Sequence, residues 1–256
     1  MVRVNNKVFS VPSPLQASIL VKEKQIPFDF ELLNKSANYV KYLTTFKQSL
    51  NIGVYGANLG NLFIYDQLSK SAEYFNVIKK LAEQVGVMNS IDQKLIDRIE
   101  QSNQDRDSMM YILADVFREI DNYLLENEQE ELGILIITGG WVESVYMLLK
   151  IIESDKDPDL IARIGEQQQP LNNLIELLQP YYNEKTEDFD YLLEALVELS
   201  ILFDAIEINY VYKESEVDIE NRITYINSTT TYNITESELI LISNKIESLR
   251  NWVISE

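Results

Sequence analysis

The residues with the clearest chemical potential in this chain are its carboxylates. Neither Cys nor His occurs anywhere in the 256 residues. That removes Ser-His-Asp and Cys-His nucleophilic catalysis, Cys/His zinc sites, thiol redox chemistry and His-ligated haem. It also removes the usual general base of neutral pH. Any active site must be built from Asp, Glu, Tyr, Lys, Arg or hydroxyls. The arrangement that would weigh most is a pair of Asp/Glu groups about 5–10 Å apart across one cleft, as glycan hydrolysis uses. No motif calls for a cofactor.

Asp155-x-Asp157-x-Asp159, with Glu166 at the twelfth position, has the acidic spacing of a calcium loop. Such a loop needs Gly at its sixth position for a sharp turn, and Leu160 stands there. Pro158 favours the first turn of a helix, which makes Asp157 an N-cap and carries Glu166 away from Asp155. No metal site is expected.

Two glycine-bearing runs come next. In LNIGVYGANLG (50–60), Gly53, Gly56, Ala57 and Gly60 match neither G-x-G-x-x-G nor a P-loop with its Lys-Ser/Thr. Spaced at three and four residues, they form a small-residue stripe on a helix, suited to close packing. In TGGWVESVY (138–146), Gly139, Gly140 and Glu143 share a face with Lys150 at about 100° per residue. Two readings follow for a ligand-binding group of Glu143, Tyr146, Gly139 and Gly140. In one, the glycines floor an open pocket with Glu143 as its carboxylate and Tyr146 at its rim. In the other, a helix packs over the glycines and Glu143 requires a Tyr or Arg from that neighbour, because Lys150 is two turns away. The packed reading is preferred, and with it Glu143→Gln is expected to leave the fold largely intact. The fifteen Tyr include Tyr39, Tyr42, Tyr55, Tyr65, Tyr74, Tyr181 and Tyr182, which suit either an aromatic sugar- or peptide-binding surface or a scatter of half-buried positions.

The elements that would position these groups are helical. Eight Gly and six Pro are few for folds rich in tight turns. Ser13-Pro14-x-Gln16 and Thr235-x-x-Glu238 are capping boxes, Asp157-Pro158 and Thr186 are further starts, and Gly86 is a C-cap. Helical spacing runs through Tyr39, Leu43, Phe46 and Leu50; through Ile91, Leu95, Ile96 and Ile99; and through Met109, Val116, Ile120 and Leu124. Helices are expected over 132–152 and from Pro158 to about Leu178, and a deeply buried central one over 186–203. The stretch 222–234, RITYINSTTTYNI, is β-branched and aromatic, and fits a small hairpin turning at Asn227-Ser228. The fold class expected is all-α: one helical domain over 1–256, an irregular bundle or paired-helix array of about eight to ten helices. The first ten or so residues are expected to be extended or disordered.

Forty-one Asp+Glu against 22 Lys+Arg give a net charge of −19. A field of that sign opposes nucleic acid and anionic membrane surfaces. The apolar run 132–149 is long enough to span a membrane, but its lone Glu143 and globular surroundings point to a core helix. No transmembrane span is expected.

VPSPLQ (11–16), LNIGVYGANLG and TGGWVESVY together resemble a group of helical secreted lipoproteins of gut-type Gram-negative bacteria. The likeness runs from about Val11 to the C-terminus. It implies an all-α fold, export to the cell envelope (periplasmic or outer-membrane-anchored) and a lipid anchor on a Cys upstream of this sequence. The chain carries neither the export signal nor that Cys, and departs from the pattern there. No activity accompanies the resemblance. The expectation is therefore a non-enzymatic envelope protein binding a protein, glycan or small molecule, with a carboxylate-dependent hydrolase or a cytoplasmic helical adaptor as alternatives.

Overall fold

With few residues to break helices, the chain spends most of its length in them. The computed structural model describes residues 2–4, 7–9, 15–87, 106–218 and 222–256, and is 71% helical. Nine α-helices lie among the described residues: α1 (Leu15–Glu23), α2 (Thr45–Ile64), α3 (Leu68–Val85), α4 (Arg106–Glu126), α5 (Glu130–Ser154), α6 (Pro158–Gly165), α7 (Gln168–Leu178), α8 (Glu187–Asp204) and α9 (Glu236–Val253). The Ser13-Pro14 cap and the helix expected through Ile91 to Ile99 fall outside the described residues.

Several helix ends follow from their capping residues. Asp157 accepts from the N–H groups of Asp159 (2.8 Å) and Leu160 (3.2 Å) to open α6 behind Pro158. Its carboxylate also pairs with Lys24, just past α1, at 2.6 Å, and Lys24 reaches Asp159 at 2.8 Å. The bond to Lys24 holds the Asp157 carboxyl below its ordinary pKa. The acidic run thus caps one helix and ties it to another. Thr235 and Glu238 close a reciprocal box at α9. Gly86 ends α3 at φ +88°, a left-handed conformation that Gly adopts without a Cβ penalty.

Other expectations needed correction. The spacing through Tyr39 and Leu43 does not continue into one helix. A 3-10 turn at Ser36–Lys41 ends, Leu43 is 83% exposed, and Thr44 starts α2 by accepting the Lys47 N–H. The helix expected from Pro158 to Leu178 is two, because Pro170 lacks an N–H and its ring clashes with the carbonyl four residues back. Helix α8 is not the deeply buried centre. It buries Phe189, Leu192, Leu196, Leu199 and Phe203 on one face and leaves Val197 and Ile201 in solvent.

The centre is α2, buried at every residue from Phe46 to Ile64. It packs along α5 on one side and α3 on another, with α9 crossing α5. Among the described residues α5 alone is long and apolar enough to cross a membrane, and most of that apolar span is buried inside the protein.

Strands are small additions. β1 (Val2–Val4) and β2 (Lys7–Phe9) pair antiparallel, so the extended start is hydrogen-bonded. The β element expected at 222–234 is present, but Asn227-Ser228 is not a hairpin turn: the strands on either side of it lie on one arm, and each pairs with a strand from 207–218 instead of with the other. β5 (Ile223–Tyr225) pairs with β4 (Glu216–Asp218), and β6 (Thr229–Asn233) with β3 (Glu207–Val211). The four strands form two nested antiparallel pairs on arms 207–218 and 223–233. Between the pairs, Lys213 donates its N–H to Ser228 Oγ (3.1 Å), and Asn227 Nδ2 donates to the Glu214 carbonyl (3.1 Å).

Candidate functional site

The approach of α2 to α5 decides what surrounds Glu143. A Cβ on Gly53 would stand 1.8 Å from the Ile136 carbonyl oxygen, and one on Gly139 would stand 1.9 Å from the Leu50 carbonyl oxygen. Only glycine permits backbone this close. Gly140 also faces Gly53, at 3.3 Å from its carbonyl oxygen to an added Cβ. Gly139 and Gly140 therefore line a helix contact, and the floor of an open concavity is not where they sit. Gly56 turns elsewhere, against the ring of Phe117 on α4.

One turn beyond the seam, Glu143 is fully buried. Arg250, projecting from α9, meets it with two prongs: Nε donates to Oε2 at 2.9 Å, and Nη2 to Oε1 at 3.3 Å. Asn58 on α2 donates to Oε1 at 2.7 Å. The guanidinium lies over the Tyr146 ring, 4.5 Å from its centroid, and its Nη2 also reaches the Leu32 carbonyl at 3.4 Å. Burial alone would lower the Arg250 pKa; the adjacent carboxylate more than offsets this and holds it above its ordinary value. Both carboxylate oxygens are engaged, by charge-assisted bonds of the strong bidentate kind.

The network continues through polar side chains. The Asn34 N–H donates to Asn58 Oδ1 (2.9 Å), and Asn34 Nδ2 donates to the Tyr42 hydroxyl (2.9 Å) and Asn51 Oδ1 (3.4 Å). Asn51 Nδ2 reaches the carbonyls of Lys47 and Val253, each at 2.9 Å. Tyr55 donates to the Lys35 carbonyl at 2.8 Å. Burial pushes the Tyr42 and Tyr55 phenols up, and the Tyr74 phenol up to about 12. These groups stay protonated at neutral pH; the Tyr55 hydroxyl donates to the Lys35 carbonyl, while that of Tyr42 accepts from Asn34. The arrangement ties α2, α5, α9 and the 32–42 segment together, and offers no exposed carboxylate to a substrate.

Of the residues singled out from sequence, the structure brings Glu143 and Tyr146 together through Arg250. Lys150 pairs with Glu153 (3.0 Å) and Glu247 (2.8 Å) instead. The seven tyrosines do not share a surface, since Tyr42, Tyr55 and Tyr74 are buried. Sequence reasoning missed Arg250, Asn58 and Asn34. Asn51 and Asn58, seven residues apart inside an apolar run, carried a legible signal, because a buried amide demands partners. Among the described residues no cluster of Asp and Glu is arranged to hold a metal.

Comparison with protein-family models, curated proteins and solved structures finds no match.

Proposed function

We propose that this protein is a non-enzymatic helical scaffold of the cell envelope that binds a protein, glycan or small-molecule partner. One observation carries the non-enzymatic reading. Among the described residues, Glu143 is the only buried carboxylate, and Arg250 and Asn58 take up both its oxygens. A hydrolase would need a second carboxyl facing it across a cleft. The envelope location and a lipid anchor upstream are supported by the likeness of 11–16, 50–60 and 138–146 to helical secreted lipoproteins.

The test screens soluble glycans and oligopeptides by thermal shift while following the ligand by mass spectrometry. A ligand at about a hundred times its dissociation constant adds about 2.7 kcal/mol of stability. The expected result is a rise in melting temperature with the ligand unchanged. Turnover of a glycan by the wild type would overturn the reading in favour of a hydrolase. Fractionation of the native cells gives the second arm: recovery with the envelope supports the location, and recovery in the cytoplasm favours an adaptor.

A further inference from the structure

Strand β3 presents a bare edge. It pairs with β6 in a two-stranded sheet, so among the described residues its other edge meets no strand. β6 rests on the helical body through Tyr232, which lies over Gly165 at the end of α6. All five residues of β3 are exposed, and the apolar ones are heavily so: Tyr210 by 63%, Val211 by 54%, and Tyr212 just beyond by 72%. Unpaired N–H and C=O groups beside β-branched and aromatic side chains form a template for another strand. Edges are usually guarded by a charge or a Pro within the strand. β3 has no Pro and only one charge, Glu207 at its first position, so that 208–212, INYVY, carry neither.

The charges stand at the two ends of this run, Glu207 and Lys213, three residues to either side of Tyr210. Among the described residues Lys213 makes no ion pair, while Glu207 accepts a hydrogen bond from Asn233 in its own sheet (3.0 Å). We propose that this edge pairs antiparallel with the same edge of a second copy, about a twofold axis through Tyr210. In that register Glu207 meets the partner's Lys213, Ile208 meets the partner's Tyr212, and Asn209 meets the partner's Val211. Opposite charges then face each other at both ends, and apart from Asn209 the middle is filled by apolar and aromatic side chains. An axis through a residue also keeps parity: outward-pointing backbone groups meet outward-pointing ones, and each side-chain face continues across the junction. The product is a four-stranded sheet, β6-β3-β3-β6, and a closed isologous dimer. A net charge of −19 on each copy opposes association at long range. That repulsion is screened beyond about 8 Å at 0.15 M salt, whereas the two end pairs lie inside that distance.

The test exchanges the end charges and reads sedimentation over a concentration series at about 0.15 M salt. The wild type should show a monomer–dimer equilibrium. Glu207→Lys and Lys213→Glu, each alone, oppose like charges at both ends and should weaken the dimer about tenfold, the factor that about 1.4 kcal/mol represents. Mixing these two variants should restore association, as should the double variant Glu207→Lys/Lys213→Glu, with helical circular dichroism unchanged throughout. A wild type that stays monomeric, an open-ended assembly, single variants that dimerise as the wild type does, or a mixture that fails to associate would each overturn the proposal.

Discussion

Removing the charge from Glu143 leaves the Arg250 guanidinium, its side chain 9% exposed, without its counter-ion. Breaking one partner of a buried pair is costly because the other charge stays buried, so Glu143→Gln should destabilise the fold by roughly 3 kcal/mol. This replaces the milder expectation drawn from sequence, which had no cation to place beside the carboxylate. Replacing both members by apolar groups of similar size removes the desolvation cost along with the attraction. The double variant Glu143→Leu/Arg250→Met should therefore be more stable than Glu143→Gln in urea unfolding. A double variant that loses as much as the single, or more, would show that Asn58 and the Leu32 carbonyl depend on the pair. The carboxylate was legible in the sequence as a lone charge in an apolar helix. Arg250 was not, because it lies 107 residues away and only tertiary packing selects it.

At the scale of elements, the α2–α5 seam separates two kinds of glycine. Gly53 faces backbone, which cannot swing aside, whereas Gly56 faces the ring of Phe117, a half-buried side chain that can turn. Gly53→Ala should cost about 3 kcal/mol by overpacking, and Gly56→Ala about 1 kcal/mol. Denaturant midpoints with unchanged slopes would check this ranking; equal losses would mean that the helices slide apart to admit a Cβ. Close packing at Gly53 was readable from spacing, although Gly56 faces α4 and not the same neighbour; the ends marked by Gly86, Asp157-Pro158 and Thr235-Glu238 were readable too, since caps act within a few residues. The pairing of β6 with β3 across 207–233 was not, because strand partners are chosen by contacts remote in sequence. Burial misled in the same way. Val197 and Ile201 are as apolar as any core residue, yet among the described residues nothing packs over that side of α8 enough to bury them.

For the whole molecule, two electrostatic effects of opposite sign compete as salt is added. The ion pairs at the surface, such as Arg163 with Glu166 (2.6 Å) and Lys185 with Glu131 (2.9 Å), weaken under screening. Each contributes roughly 0–1 kcal/mol. The excess of 41 acidic over 22 basic residues repels itself throughout the compact state and much less in an expanded chain. That repulsion is long-ranged, so lowering the Debye length from about 30 Å at 0.01 M to about 8 Å at 0.15 M removes most of it, while contacts near 3 Å lose little. Repulsion should therefore dominate the balance, and the melting temperature should rise with sodium chloride over this range. Calcium should do no more than magnesium at equal ionic strength, because Asp157 is already bonded to Lys24 and to two backbone N–H groups of α6. A melting temperature that falls with salt would place the surface ion pairs above net charge as the governing term. A rise specific to calcium would show that the acidic run at 155–159 rearranges into a site.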